Sequence, residues 1–77
     1  MGLLKGCYVR CTQQNRAGVV SEVKVSGYAY VRWMSEWDDK NKVVTHYLEY
    51  VNLNDIQQLP EEGIHPGLYA LRRITLG

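Results

Sequence analysis

Four side chains of this 77-residue chain could ligate a metal: Cys7, Cys11, His46 and His65. Tetrahedral zinc sites pair close cysteines with a matching second pair, and the Cys7/Cys11 spacing meets only the first condition. Both cysteines fall in Cys7-Tyr8-Val9-Arg10-Cys11, whose alternation reads as one strand. At about 3.3 Å per residue their Cα atoms stand about 13 Å apart, beyond the roughly 7 Å reach of a disulfide. They are expected as free thiols that fill a wall like small apolar residues, which fits a reducing, cytoplasmic setting. His46 is expected as a surface strand residue, and neither a metal nor a cofactor is expected.

Catalytic constellations are equally thin. The chain has one Asp38-Asp39 pair and two distant histidines, without a Gly-rich phosphate loop, an HExxH helix or a nucleophile elbow. The expectation is a protein that is not an enzyme. Binding chemistry is better represented: Tyr8, Arg10, Tyr28, Tyr30 and Arg32 would share an outward strand face, a mixture suited to stacked bases and phosphates. The same tyrosines could instead stabilise a sheet through cross-strand pairs. A formal net charge of +1, nine basic against eight acidic residues, lacks the basic footprint of a dedicated duplex binder. Trp37, Tyr47 and Tyr50 could form an aromatic cage for a peptide or a methylated ammonium group.

The elements that would position these groups are β-strands. Hydrophobic residues make up 45% of the chain and charged ones 22%, a balance that folds, and 77 residues suffice for one domain. Residues 6 to 59 lack a helical period and are rich in Val and Tyr. The sequence predicts strands over Gly6 to Cys11, Val19 to Val25, Tyr28 to Met34, Val43 to Leu48 and Ile56 to Leu59. A bulge is expected near Ser21, a two-residue turn at Ser26-Gly27, a charged connection over Ser35 to Lys42 and a tight turn at Asn52 to Asp55. Val9, Val20, Val31, Trp33 and Ile56 take the inward phase and should form one core.

Five short antiparallel strands without an intervening helix must curl to bury one face, and a small closed barrel is the economical arrangement. Gly6-Cys7-Tyr8-Val9-Arg10, Gly18-Val19-Val20, Tyr30-Val31-Arg32-Trp33 and Leu53-Asn54-Asp55-Ile56 follow one another in an order that resembles the SH3-like barrel group, with its Tudor and KOW-type members. The resemblance covers residues 5 to 59 and implies an all-β, five-stranded antiparallel SH3-like barrel, more than it implies a task. Plasmid-type dihydrofolate reductases are similar in length and use this barrel, with a late-strand Val-Gln-Ile-Tyr. The matching positions here read Thr45-His46-Tyr47-Leu48, so that activity is not implied.

The chain thus divides into a barrel, residues 1–59, and a C-terminal connector and apolar-basic extension, residues 60–77. Leu68, Leu71 and Ile74 could line a helix, and Leu68, Ala70 and Ile74 a strand. Leu68, Leu71, Ile74 and Leu76 would cover either their own barrel or a second copy, so a self-association surface and a homo-oligomer, most simply a dimer, are expected. The overall expectation is a binding or assembly module with a protein partner or itself, nucleic acid being the alternative. No apolar run approaches the length of a membrane span, and Met1 to Cys7 matches neither a leader nor an acylation pattern.

Overall fold

A computed structural model describes residues 3–77; the leader and acylation patterns weighed above begin on residues 1 and 2, outside the described residues. Strands β1 (Tyr8–Cys11), β2 (Ala17–Val23), β3 (Tyr28–Asp38), β4 (Val43–Asn52) and β5 (Ile56–Gln58) are followed by helix α1 (Pro66–Leu76). A 3-10 turn over Leu53–Asp55 leads into β5. All pairings are antiparallel, in the order β4-β3-β2-β1-β5.

The sheet is open. β4 and β5 are its two edges and do not pair with each other, so the expected closure of the barrel is corrected. The physical reason lies in the second face. A closed barrel needs only its interior filled, whereas here α1 lays Leu68 and Leu71 on the opposite side of the sheet, against Tyr8, Val19 and Val44. The first face holds Val9, Val20, Val31, Trp33 and Ile56 in one cluster with Cys11 and Val51, as the inward phase predicted.

Two bulges decide which residues share a face. One interrupts the β2–β3 register between Val20 and Glu22, where the valine spacing placed it. The other, between Met34 and Glu36, was not expected. It carries β3 four residues past its expected end and brings Trp37 opposite Val44, beneath α1. The charged tip is correspondingly short: Asp38 accepts hydrogen bonds from Asn41 N (3.1 Å) and Nδ2 (2.9 Å), and Lys42 takes a left-handed φ of 57°. At the other end of β3, Lys24 N donates to Tyr28 O across a three-residue loop whose last residue, Gly27, has φ 88°. The positive φ requires that glycine, and the extra residue ends β2 at Val23 rather than Val25.

The extension is a helix. His65 Nδ1 accepts from Gly67 N at 2.9 Å as the N-cap, Pro66 opens the first turn, and Gly77 ends the helix with its N–H on Arg73 O. Thr75 Oγ1 returns a bond to Leu71 O within the buried stripe.

Candidate interaction surface

Cross-strand registers sort the expected binding residues into three neighbourhoods. On the α1 side of the sheet, Tyr8 lies opposite Val19 and is 1% exposed. The ring of Tyr69 meets it edge-on at 6.1 Å and the Arg72 guanidinium lies 5.1 Å from its centroid. Tyr8 is therefore a core residue of the helix–sheet interface, and its expected place on an outward face is corrected. Arg10 is exposed but sits over β5, bonded to Gln57 Oε1 at 2.9 Å, away from the β3 tyrosines.

The other members come together beyond the reach of α1. Tyr28 stacks on Tyr50 with centroids 5.0 Å apart and planes 12° from parallel, and Tyr30 leans on Tyr50 at 4.9 Å. Lys24 Nζ lies 5.8 Å from the Tyr30 ring while paired to Glu22 at 2.9 Å. Arg32 stands opposite Leu48, its Nη1 3.4 Å from His46 Nδ1. Tyr50 and Leu48 are about half exposed, and Tyr28 is exposed beside them. This is an aromatic and apolar patch with a nearly balanced charged margin. Such a composition suits the amphipathic anchors of protein interfaces.

The proposed cage does not assemble. Trp37 packs under α1 with its ring edge-on to His65 at 6.3 Å, and its Nε1 donates to Asp39 Oδ1. Tyr47 lies on the opposite face of β4 from Tyr50, where its hydroxyl accepts from Arg16 Nη1 at 3.0 Å. The three rings thus belong to three separate settings. Leu68 and Leu71 are also withdrawn from any surface open to a second copy, because both are buried on their own sheet; Ile74 and Leu76 stay exposed.

One cluster escaped the sequence reading altogether. Arg16, in the loop between β1 and β2, lies 4.3 Å above the Trp33 ring and donates to Glu49 Oε1 at 2.7 Å, while Trp33 Nε1 donates to the same oxygen at 3.0 Å. Burial opposes the Arg16 charge, and the bonds to Tyr47 and Glu49 overcome it, so the guanidinium is held above its ordinary pKa. The cluster floors a cleft of about 410 Å³ between the loop, β4 and β5. Cys11 lines this cleft, its thiol drawn below the usual range by the N–H of Gln13, against burial, with Gln14 and Arg16 adding to the effect. Only the long-range pairing of β3 with β4 brings Glu49 to Trp33, and no local signal carries that. Cys7, Cys11, His46 and His65 do not converge: among the described residues no three of His, Cys, Asp or Glu are grouped to hold a metal ion.

No protein-family model, curated protein or solved structure matches this chain.

Proposed function

We propose that this chain is a non-enzymatic protein-interaction module of the SH3-like group, which docks partners along β4 and the tyrosine cluster beside it. The observation that carries the reading is the concentration of exposed Val43, Tyr47, Leu48 and Tyr50 on one edge strand. An unpaired edge offers a row of backbone donors and acceptors, and alternate side chains give it specificity. The five-stranded antiparallel order supports the SH3-like grouping. Two free cysteines agree with a reducing, cytoplasmic setting, and among the described residues no helix is long and apolar enough to cross a membrane.

Nucleic-acid binding is the second reading, favoured by Lys24 and Arg32 at the margin of the tyrosines. Against it, Tyr50 is already stacked on Tyr28, and Lys24 is neutralised by Glu22. The test is affinity capture from cell extract with the parent chain and a Leu48→Lys, Tyr50→Ala variant, beside a low-salt oligonucleotide titration. Partners retained by the parent and lost by the variant support the proposal. Equal recovery by both chains, or oligonucleotide binding that falls steeply with salt, refutes it.

A further inference from the structure

The edge strand that invites a partner is also complementary to itself. Leu53 N donates to Gly27 O, and Ala29 stands opposite Val51. In an antiparallel ladder, residue pairs alternate between those that exchange both backbone bonds and those that exchange none. Tyr47, Glu49 and Val51 therefore bond to β3, whereas His46, Leu48 and Tyr50 turn their N–H and C=O groups away from the sheet. Among the described residues, no backbone hydrogen bond satisfies those outward groups.

Proteins ordinarily blunt such an edge with lysine, proline, bulges or short length. β5, the other edge, is three residues long and closely followed by Pro60. β4 is ten residues long and contains no lysine, arginine or proline. Its one carboxylate, Glu49, is engaged by Arg16 and Trp33 within the same chain. The edge is thus long, apolar and without a free charge to repel a copy of itself.

We infer that β4 pairs antiparallel with β4 of a second copy about a twofold axis at Leu48, joining two five-stranded sheets into one of ten strands. This deepens the protein-docking reading and rests on it. Pairing on the α1 face sets Leu48 against Leu48 and His46 against Tyr50, so the Tyr28–Tyr50 stack continues into the partner; on the other face Tyr47 meets Glu49. The outward N–H and C=O of Leu48 then bond to their own counterparts across the axis. A half-exposed tyrosine offers about 100 Å². Two tyrosines, a leucine and a valine from each copy, with the facing backbone, bury about 1,000 Å² in total, the lower bound of a specific interface. A dimer of modest affinity follows, formed at high micromolar concentration.

The experiment is sedimentation velocity on the full chain across that concentration range. The parent is expected to shift from monomer to dimer. Leu48→Lys and Leu48→Glu, each alone, set like charges opposite one another and raise the dissociation constant by about tenfold or more. An equimolar mixture of the two restores a dimer, which a merely unfolded variant would not do. A parent that remains monomeric overturns the self-pairing while leaving the docking reading to its own capture test. Dimers of either variant as strong as the parent's, or a mixture without rescue, overturn the pairing at Leu48.

Discussion

Replacing Trp33 by alanine tests the first core at its centre. Trp33 is fully buried among Val9, Val20, Val31 and Ile56. Removing a buried tryptophan side chain costs about 3 to 5 kcal/mol through lost transfer energy and the cavity left behind. The ring also carries the Arg16 guanidinium at 4.3 Å, a contact worth about 0.5 to 2 kcal/mol when partly desolvated. The lost Trp33–Glu49 hydrogen bond adds little, because the Glu49 side chain is 41% exposed and water replaces the donor. The sum, about 3.5 to 7 kcal/mol, compares with a total of roughly 4 to 12 kcal/mol for a domain of this length. Trp33→Ala should therefore be mostly unfolded or lose about 20 °C or more of melting temperature. Trp33→Phe keeps much of the volume and should retain a cooperative urea transition at a lower midpoint. A Trp33→Ala chain with the parent's midpoint and slope would refute the core assignment.

Three further outcomes follow from the same packing. Gly18→Ala would drive a Cβ into the Arg32 carbonyl oxygen and to 2.9 Å from Trp33 Cα, both backbone atoms, so β2 and β3 must part; a loss of about 2 kcal/mol or more in urea unfolding is expected, and parent-like stability would count against the close approach. Leu71→Ala should cost about 2 to 5 kcal/mol and Leu76→Ala no more than about 0.5, because only Leu71 is buried; equal losses would mean that α1 does not pack as described. Asp38 and Asp39 lie below their ordinary pKa of 3.8, Asp38 through Asn41 and Asp39 through Lys42 and Trp37. A carboxyl depressed in the folded state contributes stability above its unfolded pKa and loses it as pH falls through the folded one. The parent's small advantage over Asp38→Asn in thermal melts should therefore be full above about pH 4 and fade only as pH falls further, through the depressed folded pKa; an advantage that grows on acidification would reverse the assignment.

Strand existence and inward phase were legible because period-2 alternation is local: Val9, Val31 and Trp33 announce their face within a few residues. The bulge at Ser35 was not, since Ser35 to Lys42 is polar and reads as a loop until Trp37 finds Val44. Tyr8 was misplaced for a related reason. Alternation assigned it correctly to the face opposite Val9, but nothing local says that this face is also covered. The cover comes from α1, some 60 residues later in the chain. A strand buried on both faces loses its polar alternation only if both neighbours are apolar, and Arg10, on the same face as Tyr8, kept the pattern amphipathic.

The position of the exposed patch follows from the lengths of the two layers. Eleven residues of α1 at 1.5 Å each span about 16 Å, whereas eleven residues of β3 at about 3.3 Å span about 36 Å. One short helix cannot roof a ribbon more than twice its length. It settles over Trp37, Val44, Tyr8 and Val19, toward the β3–β4 turn, because His65 and Pro66 start it beside Trp37 and Met34. The far half of the ribbon, with Tyr28, Tyr30, Leu48 and Tyr50, is left without a second layer. Tyrosine suits that position, since its ring can stack laterally within the sheet while its hydroxyl stays in water. The same half carries the outer edge of β4, so an incoming strand would find side-chain contact and unpaired backbone together.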